Sequence, residues 1–367
     1  MKSQSHGITR REFLKGTGVV GMATAMGAGG LLTACGQPTG GGGAEGPVDL
    51  VHFIWVGSGQ GIVPREVKRE YERDHPEVSI ELMEGSNAET YPKMVAQKEV
   101  DPNDPLVNFG FFNIWATTSG VVDDMWVSLD PEKIPNLNDI PEQYIRPNNK
   151  GVAWGMGAIG LVYNNELVDE PPESWMDIFD ERFKGRVLIY DYRLSYNGFH
   201  AIADMHGGDV EKAWELYSQA AADGQWHSLN SGTQIYKDTL ESGEALIAPY
   251  FIGHTMHWDK VSYVVPKEGM IAFPLLFQIV NGSSERQIDV ASEIINTYIS
   301  PETLSRYCNL TGNIPTNPFA KLDKDLAIEP AFQPDAVESA IQLDWDYIAE
   351  HDAEWRERWD REVKARM

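Results

Sequence analysis

Catalytic spacing is absent from this 367-residue chain. Gly155-Met156-Gly157 and Ser231-Gly232 do not complete the Gly-x-Ser-x-Gly turn that exposes a nucleophilic serine, and no His-Glu-x-x-His occurs. His254 and His257 lie three apart, a spacing that on a helix would bring both within reach of one metal. No third ligand at a metal-site spacing is evident beside them, so neither a metal nor a cofactor is expected. Residues suited to holding a ligand are more plentiful: Trp55, Ser58, Asn113, Trp115, Trp154, Tyr192, Asn197 and Tyr250. Aromatic faces enclose an organic cation or stack on a flat group, while Asn and Ser fix its orientation. Singly, each aromatic could as well be a core residue. What groups them is position at predicted strand ends and at a predicted crossing. Asp191 is the acid near this set that could meet an amine.

The elements that must position them follow from periodicity. Residues 48–56 are a β-rich run, broken by Gly57-Ser58-Gly59-Gln60-Gly61. A helix from Pro64 to about Asp74, a strand over 78–83, a helix over 91–100 and a strand over 106–114 come next. Strand, helix, strand, helix, strand predicts an α/β domain with a mainly parallel sheet. Ligands collect at the carboxyl ends of such strands, here 55–59 and 111–115. The glycine loop misses the dinucleotide fingerprint, because Ile62 stands where the third glycine belongs. It reads as a βα turn, whose N–H groups could alternatively hold an anion.

Residues 151–165 are glycine-rich yet apolar, as suits a strand passing between two lobes. A second α/β unit follows: helix 174–183, strand 186–190, helices 210–222 and 231–242, strand 245–250. Residues 275–280 then carry the chain back. Two crossings imply a hinge and a cleft, and clefts between domains are favoured ligand sites. The expected division is 48–154 for lobe 1, 155–273 for lobe 2, and 274–367 for the return and the C-terminal helices. In the last of these, Val337, Ile341, Trp345, Ile348, Trp355, Trp359 and Val363 keep helical spacing.

At the N-terminus, Arg10-Arg11 precede a weakly apolar stretch over 16–32, resembling a twin-arginine signal. Leu32-Thr33-Ala34-Cys35 resembles a lipobox, which implies cleavage before Cys35 and a lipid on its thiol. Residues 1–34 are thus read as a signal peptide and 35–47, rich in glycine, as a flexible tether. Export is the expected fate, to the periplasm or cell surface. If Cys35 is lipidated, Cys308 has no disulfide partner. The chain carries −25; removing Lys2, Arg10, Arg11, Lys15 and Glu12 leaves −28 for the 333 residues from Cys35 onward. Such a body is repelled by nucleic acid, which is excluded as a partner. The acids are spread along the chain, which reads first as a hydrated surface and second as a cationic ligand.

The segments Trp154 to Asn165, Pro172-Glu173-Ser174-Trp175-Met176-Asp177-Ile178-Phe179 and Phe183-Lys184-Gly185-Arg186-Val187 resemble bacterial extracellular solute-binding proteins, in particular the spermidine/putrescine branch and its iron-type relatives. Leu240-Glu241-Ser242-Gly243-Glu244-Ala245, Val265-Pro266-Lys267-Glu268-Gly269 and the tryptophan-rich tail agree, in order, over nearly the whole chain. The resemblance implies a type II-like, two-lobe periplasmic-binding-protein fold. It also implies a monomeric, non-enzymatic receptor that passes a small-molecule solute to an ABC transporter permease. Two departures concern the solute. No acid follows in Met270-Ile271-Ala272-Phe273-Pro274-Leu275-Leu276-Phe277-Gln278, where polyamine binders place one, and no adjacent tyrosine pair matches the iron binders. A polyamine-like amine is the favoured solute, with a phosphonate, opine, sugar or metal as alternatives. A secreted hydrolase and an adhesive lipoprotein are the competing function classes.

Overall fold

Val48–Ile54 form β1, in which every residue except Asp49 is buried. A strand covered on both faces reads as a continuous apolar run, and His52 is accommodated in it by stacking on Phe109 at 4.2 Å. The computed structural model describes residues 46–367 apart from Val56 and Ser58. Ser58, Cys35 and the twin-arginine segment therefore lie outside the described residues.

From β1 the chain runs through α1 (Ile62–Asp74), β2 (Val78–Glu84), α2 (Asn87–Val100), β3 (Phe109–Asn113), α3 (Ile114–Val122) and β4 (Trp126–Val127). It then enters the long strand β5 (Val152–Asn164). Next come β6 (Val187–Tyr190), α4 (Phe199–Met205), α5 (Val210–Ala222), β7 (Trp226–Asn230), α6 (Thr233–Glu241), β8 (Ile247–Phe251), α7 (Ile252–Thr255) and β9 (Val261–Val264). A second long strand, β10 (Ile271–Val280), returns the chain. It ends through α8 (Glu285–Tyr298), α9 (Pro301–Thr311), β11 (Ile314–Pro315), α10 (Lys324–Ala327), α11 (Pro334–Glu338) and α12 (Trp345–Glu362).

The strands join one sheet in the order β2-β1-β3-β10-β5-β8-β6-β7. Its flanks are parallel, β1 with β2 and β3, and β6 with β7 and β8. Its middle is antiparallel, β10 with β3 and β5, and β5 with β8. The mainly parallel sheet expected from element order is corrected there, because β5 and β10 cross the molecule in opposite directions. β5 is buried along its length save for Tyr163. Trp154 within it has no exposure and packs on Tyr307 at 3.9 Å and Phe111 at 4.7 Å, in the main core.

Two expected helices differ. Residues 174–183 form two 3-10 turns, Trp175–Phe179 and Glu181–Phe183. Ser174 and Asp180 each cap a turn of their own, and Asp180, held extended by its bond to the Arg182 N–H, stops the first turn from propagating. The C-terminal run breaks between α11 and α12, where Ile341 bridges to Ile271 of β10. Asp344 then caps α12 by accepting from the Tyr347 N–H.

Candidate functional site

A cavity of about 410 Å³ opens beside the crossing strands, at the carboxyl ends of the parallel strands. The end of β1 supplies Trp55, the turn after β2 supplies Ser86 and Asn87, and the end of β3 supplies Asn113. The crossing strands give Gly157, Phe273 and Leu275. From the other flank come Tyr190, Tyr196, Thr233, Tyr250, Phe251 and His254, and Asn313 follows α9.

Hydrogen bonds hold these side chains in place. Asn87 is buried, and its Oδ1 accepts from Trp55 Nε1 at 2.9 Å and from the Asn113 N–H at 3.0 Å. Its Nδ2 donates to the Phe111 carbonyl at 3.3 Å. One amide thereby registers the ends of β1 and β3 against the start of α2. Asn113 caps α3 by accepting from the Ala116 N–H at 2.9 Å. On the opposite wall Tyr250 stacks on Tyr236 at 4.3 Å and donates to Thr233 Oγ1 at 3.0 Å. Burial raises its phenol well above the ordinary range, so it stays a neutral donor.

Of the residues singled out in the sequence, Trp55, Asn113 and Tyr250 line this cavity together. Trp115 and Tyr192 line a separate, smaller cavity against α12. There the Arg193 guanidinium lies 5.1 Å from the Trp115 ring centre, and the Tyr192 hydroxyl donates to Asp352 at 2.6 Å. Trp154 is a core residue. Asn197 is fully buried and bonds the backbone of Tyr190 from both ends, at 2.5 Å to the N–H and 2.7 Å to the carbonyl. It positions a wall residue and does not itself line the cavity. Asp191 is an ion-pair partner of Lys364 at 2.9 Å, so it is not the cavity's amine anchor. His254 lines the cavity and His257 is exposed. Among the described residues no group of three or more His, Cys, Asp or Glu is placed to hold a metal.

Sequence reasoning missed Ser86, Asn87, Tyr190, Tyr196, Thr233, Phe251, Phe273 and Asn313. For Ser86 and Asn87 the signal was present, since they follow β2 as Trp55 follows β1. Asn313 carried no local signal; the tertiary fold delivers it. The glycine loop is a turn, with Gly57 and Gly59 at positive φ. The N–H groups of Gln60 and Ile62 are spent on the Gly57 and Gly59 carbonyls.

Electrostatically the cavity is nearly neutral. Among the described residues no Lys or Arg lines it, and the one carboxylate is the exposed Glu89. His254 is held down at about 4 by burial and, secondarily, by His257, so its ring is neutral at pH 7. α6 begins at Gly232 without a side-chain cap, leaving N–H groups of its first turn as donors beside Thr233.

Comparison with known proteins places this arrangement. Residues 116–351 match the family described as bacterial extracellular solute-binding protein, and residues 7–27 match the twin-arginine translocation signal. Among curated protein sequences none matches the chain. A spermidine/putrescine ABC transporter substrate-binding protein, PotD, from Streptococcus pneumoniae is 18% identical. The match covers 87% of this chain and 100% of that protein's, with a TM-score of 0.69. The periplasmic binding protein AfuA from Actinobacillus pleuropneumoniae, with fructose-6-phosphate bound, is 17% identical over 88% and 99%, at 0.69. AgtB from A. tumefaciens, in complex with agropinic acid, is 19% identical over 86% and 99%, at 0.68. The fold is the two-lobe α/β fold of these binding proteins.

Proposed function

The chain belongs to the bacterial extracellular solute-binding proteins and carries a twin-arginine export signal; on that footing we propose that it is the receptor of an ABC importer, tethered outside the cytoplasm by a lipid on Cys35. The two lobes are taken as 48–154 with 274–367, and 155–273, hinged at β5 and β10. The observation that carries this reading is the aromatic cavity, whose walls come from both flanks of the sheet and whose floor is the two crossing strands. A receptor needs enclosure and orientation rather than a reacting group, and the cavity offers those.

The lining favours an uncharged or cationic solute over an anionic one. An uncapped helix N-terminus contributes about 0.3–1 kcal/mol to an anion. Desolvating an ion without a counter-charge costs several kcal/mol. A second reading, an amine-bearing solute, is favoured by Glu89 at the cavity edge.

The test is a thermal-shift screen of the exported protein against polyamines, amino acids, opines, phosphonates and sugars. A bound solute at a hundredfold excess over Kd should stabilise the protein by about 2.7 kcal/mol. Silence throughout the screen, with uptake unaffected by Tyr250→Ala, would remove the receptor assignment.

A further inference from the structure

We propose that His254 and Asn313 form an uncharged donor–acceptor pair that selects a hydroxyl-bearing solute of the sugar or polyol class; this rests on the receptor reading above. Both side chains line the cavity. They come from distant parts of the chain, the short helix α7 and the turn after α9, and a backbone contact brings them together. A Cβ placed on Gly253 would lie 2.3 Å from the Gly312 carbonyl oxygen, and one on Gly312 would lie 2.6 Å from the Gly253 Cα. No side chain fits at either position, and Gly312 adopts φ +65, which glycine takes without strain.

The polarity of each partner follows from its surroundings. His254 Nδ1 is buried with no hydrogen-bond partner. A buried N–H left unpaired is rarer and costlier than an unpaired lone pair, so the ring proton is assigned to Nε2. Protonating the second nitrogen would bury an unpaired N–H, which agrees with a ring kept neutral. His254 is thus a donor to the cavity. For Asn313 the reasoning runs through Thr311, whose hydroxyl proton is committed to the Tyr307 carbonyl at 2.8 Å. Thr311 Oγ1 must therefore accept, and Asn313 Nδ2 donates to it at 2.8 Å. The amide orientation is fixed, and Oδ1 is left to accept from a ligand.

A neutral donor beside a neutral acceptor discriminates by chemistry. An ammonium only donates, so it satisfies Asn313 and opposes the His254 N–H. A carboxylate only accepts, so it satisfies His254 and opposes Asn313 Oδ1. A hydroxyl does both through one atom. Nearby Thr233 and Tyr196 add further hydroxyls, and the aromatic walls offer apolar faces for the C–H side of a ring.

The experiment measures binding calorimetrically with two panels: hexoses, pentoses and sugar alcohols in one, and putrescine, spermidine and glutamate in the other. The expected result is a ligand in the first panel whose affinity drops about tenfold in His254→Phe and in Asn313→Leu, while His254→Gln, which keeps a donor, retains most of it. A deoxy analogue lacking the recognised hydroxyl should bind about tenfold more weakly to the wild type and equally to His254→Phe. If Asn313→Leu fails to fold, the His254 variants and the analogue decide alone. Binding confined to the second panel, or sugar affinity within twofold of wild type in His254→Phe, overturns the pair and leaves the receptor reading standing. Silence in both panels overturns the pair, and the receptor reading is then decided by the wider screen and by uptake in Tyr250→Ala.

Discussion

Asn87 is the residue whose loss should separate binding from folding most cleanly. Its side chain makes three hydrogen bonds, to Trp55 Nε1, the Asn113 N–H and the Phe111 carbonyl, from a position only 4% exposed. Each contributes about 0.5–1.5 kcal/mol net. In Asn87→Ala the Trp55 indole can turn to water through the cavity, so its bond is partly replaced. The expected loss of stability is therefore about 1–3 kcal/mol. Affinity should fall as well, because a released tryptophan must be ordered again on binding, at about 0.5–1.5 kcal/mol, up to roughly tenfold in Kd. Asn108→Ala is the matched control. Asn108 is also fully buried and bonds the Val51 N–H at 2.7 Å and Ser283 Oγ at 3.2 Å, but it does not line the cavity. It should lose similar stability and keep its affinity. Urea unfolding and calorimetric titration of the two variants give both numbers. Unchanged affinity in Asn87→Ala, or an equal loss in Asn108→Ala, would refute the assignment of Trp55 to the ligand.

Other outcomes can be checked alongside. Burial holds His52 and His200 at about 3, so the unfolded chain, with histidines near 6.5, takes up the extra protons. Stability is then full above pH 6.5 and is lost as pH falls towards 3, by about 2 kcal/mol per histidine between pH 7 and 5; a urea midpoint that stays flat over that interval would contradict this. His254, held at about 4, adds a similar share, so replacing His52 by Phe, which can keep the stack on Phe109, should remove about a third of the acid sensitivity in the same urea series. Asp191→Asn should leave ligand affinity within twofold, since its partner is Lys364, and a large loss by calorimetry would restore it as an amine anchor. Cys35→Ser should release folded protein from membranes on fractionation, and Lys at both Arg10 and Arg11 should block export; retention or normal export would dismiss the respective signal.

What the sequence revealed depended on how local each determinant is. The strand-end rule found Trp55, Asn113 and Tyr250 because a β-rich run and the break after it are visible in a short window. Trp115 lines a different cavity for a local geometric reason. Asn113 is the cap of α3, so Trp115 already lies in the first helical turn, where it meets Tyr91 edge-on at 5.8 Å. Tyr192, at φ 46, leaves β6 through a left-handed turn that delivers its hydroxyl to Asp352 of α12. Its partner is 160 residues away, and nothing near Tyr192 announces it. The Asp191–Lys364 pair spans 173 residues and was equally hidden. Crossings fared better, since the apolar, glycine-rich run of β5 is long enough to be recognised as buried on both faces.

The same locality explains why net charge is a poor guide to the solute. The chain carries −25, and that excess suggests a cationic ligand only if the acids converge on the site. They do not. Among the described residues Glu89 is the one carboxylate of the cavity lining. Many others sit in exposed pairs such as Arg73 with Asp74 and Lys212 with Glu215, where a pair contributes about 0–1 kcal/mol and is screened within ~8 Å at physiological salt. A ligand inside the cavity feels its lining far more than that outer charge. On the proposed receptor reading, recognition would rest on the neutral polar groups and the aromatic walls of the cavity rather than on the outer charge.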